Sequence, residues 1–131
     1  MSAEFEVQKA IYSALSAQGL RVYDAAPQAV DSGASSEFPY SEVGDIVMSE
    51  YDTQSVAGFD FAARIHTRSR SSSMKEAKEI QGTIYAALHR GGLTVPGYRC
   101  VLLLRETSFV TRASDGSFHG VCEYRGLIET A

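Results

Sequence analysis

The sharpest pattern in the chain is an alternation. From Phe59 to Arg68, the residues Phe59, Phe61, Ala63, Ile65 and Thr67 fall on one face of an extended strand. Asp60, Ala62, Arg64, His66 and Arg68 fall on the other, because strand side chains point alternately to opposite faces. A serine-rich bridge, Ser69 to Ser73, leads into a segment of helical period from Met74 to His89. There Ala77, Ile80, Ile84, Ala87 and Leu88 make an apolar stripe. Ser73 and Glu76 predict a capping box at its start. His89 and Arg90 suit the negative end of the helix dipole, and Gly91-Gly92 is the expected stop.

The rest of the chain reads in the same way. An N-terminal helix runs from about Glu4 to Ala17, with Val7, Ile11, Ala14 and Leu15 on one face and Gly19 as its stop. A short strand is predicted over Leu20 to Tyr23, a loop over Pro27 to Glu37, and a strand over Phe38 to Met48 with Pro39 at its edge or start. Glu50 to Ala57 reads as a turn or loop. A final hairpin pairs Arg99–Arg112 with Phe118–Glu129 through Ser114-Asp115-Gly116-Ser117. The order α-β-β-β-α-β-β predicts one α+β domain over residues 1–131, a mostly antiparallel curved sheet with two helices packed on one face.

The two helices share more than a period. Residues 8–22 and 81–95 align without gaps and agree at eight of fifteen positions. Two helices that do the same packing job need the same stripe, glycine stop and folded-back leucine. Both are therefore expected to end alike and to lie on one sheet face.

Composition narrows the function more than the fold. The 131 residues are 44% hydrophobic and 21% charged, ordinary values for one globular domain. No apolar run approaches the length of a membrane span, and the N-terminus lacks the apolar core of a signal peptide. The reading is a protein made in the cytoplasm with no membrane contact. A net charge of −4 argues against general nucleic-acid binding, which needs a basic excess. Cys100 and Cys122 both read as plain buried thiols; the hairpin register sets Cys122 roughly opposite Phe109, too far from Cys100 for a disulfide.

No catalytic pattern emerges. There is no Cys-x-x-Cys, His-Glu-x-x-His, Walker loop or Gly-x-Ser-x-Gly elbow. Asp45, Glu50 and Asp52 lack the spacing of a calcium loop. The chain reads as a non-enzyme without cofactor or metal. What stands out is a basic strip, Arg64, His66, Arg68 and Arg70, with Lys75 and Lys78 just beyond. A solvated face and a protein contact surface both fit it, since arginine is favoured at interfaces. Nucleic-acid contact fits less well, because no exposed aromatics are interleaved for base stacking.

The series of motifs resembles a known family. "QKAIYSAL" is followed by "RVYD", "FPYSEVGD", "ARIHTRSRSSSMKEAKEI", "IYAALH" and a terminal "GVCEYRGLIE". This order is similar to that of the tail-completion or tail-terminator (head-to-tail joining) proteins of long-tailed phages, prophages and gene-transfer agents, over nearly the whole chain. Ser41 and Glu42 depart from the family, which usually carries apolar residues after "FPY". The resemblance implies a virion-assembly subunit that forms a homo-oligomeric, hexameric ring at the head–tail junction. Its partners would be the tail-tube protein and the head connector or stopper. On that reading the basic strip is a candidate assembly interface, meeting Glu42, Asp45, Glu50 and Asp52 of a neighbour across a head-to-tail contact. The alternative is a small nucleic-acid- or protein-binding module that uses the same basic strand face.

Overall fold

A computed structural model describes residues 2–23 and 38–131; the loop expected over 27–37 lies outside them. The elements follow as α1 (Ala3–Ser16), β1 (Val22–Tyr23), β2 (Tyr40–Glu50), β3 (Gly58–Ser69), α2 (Lys75–Leu88), β4 (Tyr98–Arg112) and β5 (Phe118–Thr130). This is the predicted α-β-β-β-α-β-β order, with boundaries shifted by a few residues. The strands form one sheet in the order β1-β2-β3-β5-β4. Only β1, beside β2, is parallel; the other neighbours run antiparallel. The sheet is open and uncurled, where a curved one was expected.

Both helices cover the same face, as their shared residues required. Val7, Ile11 and Leu15 of α1 and Ala77, Ile84 and Leu88 of α2 are fully buried. They meet Phe61, Ala63 and Ile65 from the apolar side of β3, together with Cys122, Tyr124 and Ile128 of β5. Burying an aliphatic side chain contributes about 1.5–3 kcal/mol, so these stripes, more than helix propensity, fix the two layers. Ile80 and Ala87 lie at the margin of the core, and Gln81 is buried in the stripe instead. Its amide donates to the Phe109 carbonyl at 3.0 Å, tying α2 to β4.

The helix ends depart from expectation. No capping box forms at Ser73 and Glu76: the residue before α2 is Met74, in helical conformation and without a side-chain cap. The Glu76 carboxylate accepts from the Ser69 hydroxyl at 2.6 Å, so it anchors the end of β3 instead. The two helices also end differently. α1 runs on through Ala17 to Gly19, which has φ +80°. α2 breaks at His89, which is extended, and Arg90 takes the left-handed φ of +59°. The cause is β4 alongside. The Arg90 N–H donates to the Leu103 carbonyl at 2.8 Å, and the Arg105 N–H donates to His89 Nδ1 at 3.0 Å. His89 thus caps the edge of β4 through Nδ1 and stacks on Tyr85, with ring centres 4.4 Å apart.

Two further corrections concern the hairpin register. Cys122 faces Ser108, not Phe109, because the register set at the turn runs one residue from expectation. Beyond that pair β4 slips register between Arg105 and Thr107 and again between Cys100 and Leu102. Cys100 faces Ile128 and is only half-buried, while Cys122 is buried as expected; both thiols are free. Ser41 is 1% exposed despite its polarity, because its hydroxyl meets that of Thr67 across the β2–β3 pair at 3.2 Å. The polar departure at this position is thus paired within the sheet.

One core group lacks a partner. The Tyr124 hydroxyl is buried without a hydrogen bond among the described residues, and burial pushes its pKa upward. A buried orphan hydroxyl costs about 1–3 kcal/mol. Tyr124→Phe is therefore expected to melt no lower than the wild type, and up to a few degrees higher. A lower melting temperature in calorimetry would mean that the hydroxyl has a partner.

Candidate assembly surface

With both helices on one side, no described element covers the other sheet face, and it carries the residues that β3 turns away from the core. Arg64, His66 and Arg68 lie there as the alternation requires. The strand ends at Ser69, so Arg70 leaves the row. Its guanidinium sits 4.7 Å from the centre of the Phe38 ring and 3.9 Å from Asp115 in the β4–β5 turn. Lys75 and Lys78 are exposed on α2 and so belong to the opposite side of the molecule. The expected six-residue strip is thus a row of three on the open face.

That row is not purely basic. Glu123 faces Arg64 across the β3–β5 pair and accepts from its Nε at 3.1 Å. Asp60 binds Arg125 through two contacts, at 3.1 and 2.6 Å, and its carboxyl is held below the usual range chiefly by that hydrogen bond. Arg99 pairs with Glu129 nearby. Of the three arginines of the strip, Arg64 and Arg70 have ion-pair partners and Arg68 forms no ion pair among the described residues. Two of the four acids expected to meet a neighbour already have contacts within the subunit. Glu42 faces His66 in the β2–β3 register, and an Asp52 oxygen accepts from the Gly58 N–H at 3.2 Å. Asp45 sits in the β2 bulge between Val43 and Ile46, exposed, and Glu50 is exposed at the end of β2.

His66 and His119 form a feature that the sequence did not reveal. His66 Nδ1 lies 2.9 Å from His119 Nε2, and the rings are stacked with centres 5.1 Å apart. One nitrogen must donate and the other accept, so at most one of these two atoms carries a proton. The β2 bulge makes room for the pair: a Cβ on Gly44 would lie 2.7 Å from the His66 ring. Burial lowers the pKa of both rings. For His66, Glu42 and Asp45 oppose this while Arg68 and Arg64 reinforce it; for His119, Arg68 and His66 reinforce it. An imidazole lowered on folding from its ordinary 6.5 takes up protons more readily in the unfolded chain. Its contribution to stability is full above that pH and is lost as the pH falls below it. The melting temperature should therefore be level from pH 7 to 8 and fall below 6.5, and His66→Gln/His119→Gln should flatten the fall. An unchanged slope in the double variant would show that other groups carry it.

Apolar side chains stand between these charges. Val47 on β2 is 65% exposed and Phe109 on β4 is 51% exposed. Register places Leu102 and Leu104 opposite Leu127 and Arg125 on the same open face. Nothing in the alternation of β3 signalled this, because β4 and its bulges decide which leucines face outward. The arrangement offers a contact surface. Among the described residues, no three His, Cys, Asp or Glu gather closely enough to hold a metal ion, and no helix is long and apolar enough to cross a membrane.

Comparison with known proteins places this architecture. No curated protein matches the sequence. Among solved structures, the chain is similar to one in the virion of a native gene transfer agent (GTA) particle, with a TM-score of 0.75 at 21% identity. The match covers 94% of each chain and shows a shared fold. The family model of the tail completion protein gp17 matches residues 8–129, nearly the whole sequence, from within α1 to the penultimate residue of β5. The chain belongs to the tail completion protein gp17 family.

Proposed function

We propose that the chain is a ring-forming tail terminator: a hexameric ring of this subunit closes the tail tube and joins it to the head connector. It is made in the cytoplasm and carried into the particle at the head–tail junction, where it does structural work without a catalytic step. The observation that supports this most is the family match over residues 8–129. The fold shared with a chain of a gene-transfer particle agrees with it. So does the open sheet face, since an apolar surface ringed by charge is the usual make-up of a contact patch. On this reading the row Arg64, His66 and Arg68 meets another tail component. The interleaved Glu123, Asp60 and Glu42 weigh against a phosphate-gripping surface, which needs unopposed positive charge.

Co-sedimentation with purified tail tubes tests the role. A terminator binds tube ends, so the bound amount should saturate with the number of tubes and not with their length. Shearing the tubes should then raise the bound amount in proportion to the new ends. Binding that tracks total tube mass would point to a sheath-like or non-specific contact and remove the proposal.

A further inference from the structure

Resting on that ring reading, we infer that the subunits join edge to edge, the free half of β4 in one copy pairing with the free edge of β2 in a second copy. The open sheet has two ends, and among the described residues each is left partly unpaired. At one end, His89 and Arg90 occupy the outer edge of β4 at Leu103 and Arg105, but no described strand lies beside that edge from Glu106 to Arg112, where the Gln81 amide reaches the Phe109 carbonyl from the α2 side. At the other end, β1 pairs only with Ser41 and Glu42, and no described strand lies beside β2 from Val43 to Glu50. Unpaired edges are templates for a further strand, and proteins that do not use them usually block them. Here one half of β4 is blocked and the other is not.

Charge supplies the partner. Charges in the middle of the open face are answered within the subunit, Arg64 by Glu123 and Arg125 by Asp60. Among the described residues, Asp45 and Glu50 at the β2 edge and Lys78, Arg105 and Arg112 beside β4 form no ion pair. The groove between α2 and the free half of β4 is lined by Lys78, Gln81, Arg105, Ser108, Phe109 and Val110, with no acid among its lining residues. Glu106 stands in the β4 bulge, and its charge acts on Arg125 across the open face. The β2 edge has the opposite sign: Val43 to Glu50 holds Asp45 and Glu50 and no basic residue. Different surfaces that complement each other make a head-to-tail contact, and such a contact closes into a ring by rotation.

Direction and apolar contact agree. β4 runs opposite to β5, β5 opposite to β3 and β3 opposite to β2. A copy rotated about an axis near the strand direction therefore presents its β2 antiparallel to β4. Because only the far half of β4 is free, the join is staggered and the strands incline to the ring axis, as in a sheared barrel. Val47 of the incoming strand and Phe109 of β4, both exposed in the single subunit, then lie on the same side of the continued sheet.

The test uses the full chain with its tail tubes. One variant carries Lys78→Glu and Arg112→Glu, making both edges acidic; the other carries Asp45→Lys and Glu50→Lys, making both basic. Neither should form rings alone, whereas an equimolar mixture should recover alternating rings, scored by native mass and electron microscopy. Rings from either variant alone at the wild-type level overturn the inference. So does a mixture that stays unassembled while wild type assembles. Ser108→Pro is an independent probe, should the Asp45 variant not fold. Leu103 faces Gly126 with its carbonyl turned away from β5, and by the two-residue repeat Ser108, opposite Cys122, is turned away too. Proline there removes an outward donor without touching the hairpin ladder. Ring formation should be lost with the melting temperature retained; normal rings would overturn the inference. If wild type itself never forms a ring on its tubes, the ring reading fails and this inference falls with it.

Discussion

Gly126→Ala is expected to lower the stability of the subunit by about 2–3 kcal/mol, the usual size of overpacking in a closed core. Gly126 of β5 faces Phe61 of β3 directly in the register. A Cβ there would lie 2.4 Å from the Phe61 ring, well inside any tolerated contact. The ring has nowhere to go, since Phe61 is fully buried between the sheet and both helices. Urea unfolding of the variant measures the loss. Phe61→Leu in the same chain shortens the clashing side chain, so the double variant should lose at least about 1 kcal/mol less than the sum of the two singles. Additive losses would mean that the two residues do not share the space.

Reversing the row on the open face is expected to abolish head joining while leaving the subunit folded. Arg64→Glu sets two glutamates face to face across β3 and β5. Such like-charged cross-strand pairs cost only some tenths of a kcal/mol, up to about 1. The melting temperature of Arg64→Glu/Arg68→Glu should therefore drop by a few degrees at most, and joined particles should disappear. The internal pair offers a control that separates the two roles. Arg64→Glu/Glu123→Arg restores the contact inside the subunit with its polarity reversed. It should recover the melting temperature and not the joining, because a partner reads the position of each charge. High salt should weaken the wild-type contact in the same direction. Reversed subunits that assemble into joined particles would make the row a solvated face.

Much of this fold was legible in the chain because one periodic signal dominates each element. The two faces of β3 and the burial of Val7, Ile11, Leu15, Ala77, Ile84 and Leu88 follow from period 2 and period 3.6 alone, and the hairpin from its Asp115-Gly116 turn, whereas the burial of Gln81 in place of Ile80 and Ala87 does not. The shared fifteen-residue pattern correctly put both helices on one side. What it could not give was their ends, since α2 is broken by hydrogen bonds from β4, a neighbour some fifteen residues further on. The capping box failed for a related reason: Ser69, not Ser73, is the hydroxyl that reaches Glu76. The surface was read less well. A strip of cations is visible in sequence, but Glu123, Asp60 and His119 reach it only through the pairing of strands more than fifty residues apart. Two bulges in β4 then decide which of its leucines face solvent, and no local pattern marks them.

The central claim is that this subunit completes a tail as a ring, and imaging it on its tube tests that most directly. Tail tubes assembled with the purified protein should carry one hexameric ring at one end, seen end-on by electron microscopy, and tubes assembled without it should end bare. Tubes with bare ends in both preparations, and a protein that stays monomeric beside them at high concentration, would contradict the account.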